Sequence, residues 1–265
     1  MMRRLFTSAL LCAALLLGWS DAAFSQRASR TGGSNLAPHQ SGQTDVYILS
    51  FGLWGPQSVF ESEARGAARI LEQQLGSKNR TIVLSNTKRR SGATPATMVA
   101  AAQAAGHALD PEEDVLVLVL TSHGSPDGIG LVSRRDEGIV TPDNVRELLN
   151  EGRARNRVLI VSACYSGVFA KALADERTLV ITAAAADRPS FGCQDGATWT
   201  YFGDAFFNKA LRTEPRLNLA FERARQLVTA REKREGFDPS NPQIAGGNAV
   251  LERLRARCAS LQRAC

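Results

Sequence analysis

The chain has 265 residues, 44% of them hydrophobic and 22% charged, and carries a formal net charge of +6. That length and balance exclude a fibrous or disordered protein and suit one compact domain with a full core. The charge does not mark a nucleic-acid binder. Arg3 and Arg4 belong to the leader, and the other basic residues read as solvated helix faces without the stacking aromatics that nucleic acid requires.

The opening segment, MMRRLFTSALLCAALLLGWSDAAFSQ, sets Arg3 and Arg4 before an apolar run from Leu5 to Trp19 and small residues from Ala22 to Ser25. This is the order of a secretory signal, and it predicts a cleaved leader over 1–25 and a secreted or periplasmic protein. A retained signal anchor is the alternative, disfavoured because the run is short for a span, so no stable membrane insertion is expected. Cys12 falls in the discarded segment. Residues 26–43, polar and rich in Gly and Ser, read as a flexible lead-in.

From Asp45 strands and helices alternate. DVYILSFG reads as a strand, SVFESEARGAARILEQQLG as an amphipathic helix stopped by Gly76, and RTIVLSN as a second strand, together a β-α-β unit. A basic loop, TKRRSGATPAT, leads into a helix from about Pro95 to His107, where the imidazole suits a helix C-terminus. A third strand, Val115 to Ser122, is followed by a small hairpin, GSPDGIGLVSRRDEGIV. Next comes a helix with Thr141 as N-cap and Pro142 at its first position. The fourth strand is Val158 to Ala163, followed by a helix after Gly167, a strand RTLVITAAA, a loop ADRPSFGCQDGATW, and helices over about 200–211 and 217–234. The end, from Gly236, is turn-rich and then helical. Continuous apolar strands joined by helical crossovers imply a mostly parallel sheet covered on both faces, an α/β sandwich. The main domain is expected over 44–235, with a C-terminal extension, 236–265, packed on or near it.

Two strand ends stand out. DVLVLVLTSHG delivers His123 at the tip of one buried strand, and RVLIVSACYSG delivers Cys164 at the tip of the next. In a parallel sheet functional groups gather beyond the carboxyl ends of the strands, and one helical crossover lets these two strands lie side by side. An imidazole beside a thiol can generate the thiolate nucleophile. Gly124 can bring its backbone N–H close to a bound carbonyl and, with the N–H of Cys164, stabilise an oxyanion. Taken singly, each residue has an ordinary explanation, cysteine as a small core hydrophobe and histidine as a loop residue. Matched strand ends carrying the two partners of one chemistry favour the catalytic reading.

Four blocks in order, TSHGS at 121–125, SACYSG at 162–167, TAAAADRPSFGC at 182–193 and TYFGDAFF at 200–207, resemble the legumain-type C13 cysteine peptidases, in particular their secreted bacterial members. The resemblance runs from about Asp45 to Leu211. It implies a caspase-like three-layer sandwich, a His123/Cys164 dyad, cleavage of peptide or protein substrates, and no cofactor or metal. It also implies a pocket for the residue before the cut containing Ser190 and Asp204. The family's acidic residue two places before the cysteine is replaced by Ser162, and its arginine after the first strand has no equivalent in GLWGPQSVFESEA. An Asp204 without that arginine would match arginine or lysine by charge, or hold asparagine as relatives do. Outside the resemblance, Asp204 reads as a helix cap and Ser190 as a turn residue. No third residue orienting His123 is evident.

Two alternatives stay open. One is a transpeptidase or transamidase on the same fold, in which an amine resolves the acyl-enzyme; the other is a non-catalytic periplasmic binding protein. A G-x-S-x-G elbow, H-E-x-x-H, a C-x-x-C pair and a Gly-rich phosphate loop are all lacking. Cys258 and Cys265 are placed to form a disulfide in an oxidising compartment, with unpaired thiols as the alternative, and Cys193 reads as structural. SRRDEG, 133–138, reads either as a processing site or as a solvated hairpin tip.

Overall fold

The computed structural model describes residues 36–261. The expected leader, the first part of the 26–43 segment and Cys265 lie outside the described residues. The chain forms β1 (Val46–Gly52), α1 (Ser58–Leu75), β2 (Thr81–Ser85), α2 (Pro95–Ala108) and β3 (Val115–Thr121). A small antiparallel sheet of β4 (Gly124–Ser125), β5 (Gly128–Val132) and β6 (Glu137–Val140) follows, then α3 (Pro142–Glu151), β7 (Asn156–Ser162), α4 (Gly167–Leu173) and β8 (Thr178–Thr182). The remainder is α5 (Tyr201–Gly203), a π-helical stretch Asp204–Ala210, α6 (Leu211–Thr213), α7 (Leu217–Glu235), β9 (Gln243–Ala245) and α8 (Asn248–Ser260).

The main sheet has six strands in the order β2-β1-β3-β7-β8-β9, parallel except for β9, which runs antiparallel to β8. Successive side chains of β3 leave by opposite faces, and both faces are apolar. Val115, Val117 and Val119 pack with α1, α7 and α8, whereas Leu116, Leu118 and Leu120 pack with α2, α3 and α4. Each such side chain, fully withdrawn from water, stabilises the fold by about 1.5–3 kcal/mol. This two-sided burial is why the strand reads as a continuous run in the sequence. The result is the three-layer α/β sandwich expected.

Local signals set the helix ends. Thr94 and Thr141 accept hydrogen bonds from Thr97 N–H and Asn144 N–H and close capping boxes, each with a proline in the first turn. Gly76 ends α1 at φ 66°, the left-handed conformation that a glycine adopts without strain. The first strand-edge residues are tied down as well. Ala37 N–H donates to Asn79 O (2.8 Å), His39 N–H to Ala108 O (2.8 Å), and His39 Nδ1 lies 3.1 Å from Asp114 Oδ2.

His39, Asp45 and Asp114 bring potential metal-ligating atoms within 4.8 Å of one another. Arg80 pairs with Asp45 Oδ2 at 3.0 Å and Asp114 accepts the Asp45 and Asp110 N–H groups at 2.8 Å each, a clasp at the amino ends of β1 and β3 in which Asp45 Oδ1 faces Arg257 at 3.7 Å and, among the described residues, accepts no hydrogen bond. It lies on the edge opposite His123 and Cys164. Cys164 and Cys193 are free thiols and Cys258 is disulfide-bonded; its expected partner, Cys265, lies outside the described residues.

Candidate active site

β3 and β7 pair in parallel with Thr121 opposite Ser162, so His123 and Cys164, each two residues further on, leave the sheet at the same level. Ser122 N–H continues the ladder to Ser162 O at 3.2 Å, and Gly130 N–H donates to His123 O at 2.9 Å. The backbone of the histidine is therefore fixed from both sides. Gly124 lies so close to Cys164 that a Cβ there would fall 1.9 Å from Cys164 O. Only glycine permits this apposition.

The imidazole sits between two aromatic edges, Trp54 at 4.8 Å and Phe60 at 5.0 Å between ring centroids. Its withdrawal from water lowers its pKa from the ordinary histidine value, keeping the ring neutral near pH 7. Gln57, just before α1, bonds His123 Nε2 through its Oε1 and donates from its own Nε2 to Cys193 O at 2.8 Å. Since the amide nitrogen is spent on a carbonyl, Oε1 is the acceptor. The ring proton then resides on Nε2, and Nδ1 carries the free lone pair. Gln57 is the orienting residue that the sequence did not disclose; its only signal is its place at the entry of a helix beside the site.

Cys164 sits on a strand-to-helix turn. Tyr165 adopts φ 55°, a left-handed conformation costly for a non-glycine residue and concentrated at functional turns. The turn is stapled by Tyr165 N–H to Arg188 O (2.8 Å), Ser166 Oγ to Ala163 O (2.7 Å) and Ala184 N–H to Ser166 Oγ (3.1 Å). Among the described residues the N–H of Cys164 donates to no protein acceptor. The sulfur is engaged by Ser190, whose N–H lies at 3.2 Å and whose hydroxyl lies at 3.7 Å, while Sγ lies 3.3 Å from Ser190 O. Ser190, expected in the substrate pocket, thus clasps the Cys164 sulfur itself.

The loop carrying Ser190 is anchored at a distance. Asp195 accepts from the N–H and hydroxyl of Ser58 at 2.9 Å each and from Lys88 Nζ at 2.8 Å, with its carboxyl held well below the usual range by those bonds. It caps α1 in place of Gln57, whose side chain makes no cap bond and is thereby released to His123. Phe191 stacks on Phe237 at 4.3 Å, holding the other side of the loop to the chain after α7. Burial, and then the nearby charges of Cys164 and Glu63, push the Cys193 thiol up to about 12, so it stays an inert thiol near pH 7.

Beneath the strand ends lies a buried carboxyl that was not among the residues expected at the site. Glu63, on α1, is fully buried and accepts from Thr121 Oγ1 and from Thr200 N–H at 2.8 Å each. Burial raises its pKa, opposed by hydrogen bonds from Ser162, Thr200 and Thr121. Its signal was available: Glu63 falls on the helical face of Val59, Phe60 and Ala67, all buried.

Ser162, expected to touch substrate, is 1% exposed and shares its hydroxyl with Thr200 at 3.1 Å. It braces the site from behind. Asp204 starts the π-helical stretch and is not the unopposed carboxylate inferred from the missing arginine. Lys209 Nζ lies 2.7 Å away and Asn208 Nδ2 donates at 2.8 Å. Burial alone would raise the Asp204 pKa, but Lys209 and Asn208 outweigh it and hold the carboxyl below its ordinary value.

Fold and strand-end chemistry together define a class, a cysteine-type peptidase on a caspase-like sandwich. In structure the chain is similar to caspase-1 from Spodoptera frugiperda, with a TM-score of 0.53, 12% identity, and coverage of 81% of this chain and 89% of that one. The model of the peptidase C13 family matches residues 97–250, and the chain belongs to that family. No curated protein matches it. The matched span contains His123, Cys164, Ser190 and Asp204 but begins after α1, so Gln57 and Glu63 come from outside it.

Proposed function

We propose that the protein is an endopeptidase in which Cys164 is the nucleophile and His123 the general base. The observation that carries this reading is the apposition of the two strand ends, Gly124 lying directly on the carbonyl of Cys164. The thiol proton passes to His123 Nδ1 as Sγ attacks the substrate carbonyl, and the oxyanion is held by the N–H groups of Cys164 and Gly124. Collapse breaks the C–N bond, the leaving amine takes the proton from the imidazolium, and water then cleaves the thioester and restores the thiol. Ser190 N–H, already on the sulfur, supports the thiolate, and Gln57 keeps the imidazole in the competent tautomer.

Lys209 removes the electrostatic ground for preferring arginine or lysine before the cut, because a substrate cation would compete with it for Asp204. With Ser190 and Asp204 assigned to the pocket by the family resemblance and Asp204 already paired with Lys209, an uncharged polar side chain such as asparagine is the better fit. The leader pattern over 1–25 supports action outside the cytosol. A panel of fluorogenic peptides varied in the residue before the cut tests the function: wild type hydrolyses a carboxamide-containing member best and Cys164→Ala hydrolyses none. Hydrolysis retained by Cys164→Ala would overturn the assignment. Inclusion of an added amine, with product analysis, distinguishes hydrolysis from amine transfer.

A further inference from the structure

In the sequence the basic residues are dispersed. The fold gathers several of them. Thr87–Arg90, in the loop after β2, and Ser133–Asp136, between β5 and β6, are turns built alike. Thr87 Oγ1 accepts the N–H groups of Arg89 (3.2 Å) and Arg90 (2.9 Å), and Ser133 Oγ those of Arg135 (3.1 Å) and Asp136 (2.9 Å). The two turns are joined where Arg134 N–H donates to Ser91 Oγ at 3.0 Å. Between them opens a groove of about 580 Å³ lined by Arg89, Arg90, Ser91, Thr94, Arg134 and Arg135.

The charges in this groove are poorly balanced. Arg90 pairs with Glu61 at 3.1 Å, whereas Arg89, Arg134 and Arg135 make no ion pair among the described residues. Asp136 keeps its carboxylate on Ser133 Oγ at 3.0 Å. Gathered like charges repel one another, and an anion laid between them removes that repulsion. The groove contains no aromatic side chain on which a nucleic-acid base could stack.

The groove also lies on the edge of the sheet where the chemistry is. The loop after β1 joins β5 through a Trp54–Val132 bridge and a bond from Gly55 N–H to Val132 O at 2.8 Å. Trp54 and Val132 line, with His123 and Gly124, a depression that leads to the imidazole. A chain entering the site on the His123 side therefore passes toward the arginines.

We propose that Arg89, Arg134 and Arg135 form a docking site for an acidic segment of the protein substrate, remote from the bond that is cut. This rests on the endopeptidase reading above. Three exposed charge pairs, each weak and salt-screened, together lower KM about tenfold at low ionic strength and leave kcat unchanged.

The test compares a neutral fluorogenic peptide with the same peptide extended, on either side, by a run of aspartate and glutamate. Wild type should show the lower KM for one extended form, with the advantage erased by high salt. R89Q/R134Q/R135Q should lose the advantage while cleaving the neutral parent as wild type does. Binding of the labelled acidic peptide to the Cys164→Ala protein, followed by anisotropy, needs no catalysis. Peptide bound but not cleaved by wild type would defeat the endopeptidase reading alone. Equal KM and equal binding for neutral and acidic peptides, or an advantage that survives in R89Q/R134Q/R135Q, would overturn the docking site. So would retention of anionic vesicles or of RNA by these arginines without any preference for the acidic peptide.

Discussion

Gly124→Ala is the sharpest probe of the site's construction. A Cβ at this position would stand 1.9 Å from the carbonyl oxygen of Cys164, with Ala163 Cβ at 3.2 Å on the same side. The first contact is backbone to backbone, so no side-chain rotation relieves it. Restoring the 3.0 Å below which real Cβ contacts essentially never fall requires the His123–Gly124 turn and the Cys164 turn to part by about 1.1 Å. Overpacking of this kind costs about 1–3 kcal/mol, leaving the protein folded. A displacement of about 1 Å between reacting groups costs roughly 100-fold in rate. The expected result is a variant with a modestly lower Tm, kcat/KM on a fluorogenic peptide reduced about 100-fold, and little change in KM. Wild-type kcat/KM in a folded Gly124→Ala protein would refute the reasoning, because the two tips would then have no need to touch.

Other perturbations follow from the same geometry. Gln57→Ala should lower kcat about 10–100-fold with KM and Tm nearly unchanged, since the base loses its orientation but nothing leaves the core. Glu63→Leu should destabilise severely in denaturant melts, because each donor orphaned on Thr121 and Thr200 costs about 1–3 kcal/mol, whereas Glu63→Gln retains an acceptor and should be milder. The raised Glu63 pKa means that the native state binds this proton more tightly than the unfolded chain. Its contribution to stability is therefore full below the ordinary glutamate value of 4.5 and is lost as pH rises through the folded value, and Glu63→Gln should flatten that part of the stability profile. His123, with its pKa lowered by burial, stays an effective base at lower pH, so the acid limb of kcat/KM should have its midpoint below the ordinary histidine value of 6.5.

The parts of the fold legible in the sequence are those dictated by local pattern. The β3 and β7 strands announce themselves because both faces are buried, and Gly76, Thr94 and Thr141 mark helix ends through their own backbone and side-chain chemistry. Strand β9 escaped notice because Gln243–Ala245 is three residues long and is specified by its partner β8, not by any alternation of its own. The helix expected over about 200–211 is present, but its π-helical turns, which set Asp204 beside Lys209, leave no trace in the apolar spacing. His123 and Cys164 were legible as matched strand ends. Gln57 and Asp195 were not, because each acts across more than sixty residues of chain on a group that no local pattern connects to it. Arg89 and Arg134 likewise became neighbours only through the pairing of turns.

The central claim is that Cys164 is a nucleophile activated by His123. It is tested most directly by a thiol-reactive peptide probe applied to wild type, His123→Ala and Cys164→Ala, with the labelled residue mapped by mass spectrometry. Rapid modification of Cys164 in wild type, much slower modification in His123→Ala and none in Cys164→Ala is the expected pattern, with Cys193 unlabelled throughout because its thiol is pushed up to about 12. Equal labelling of all three proteins would contradict it.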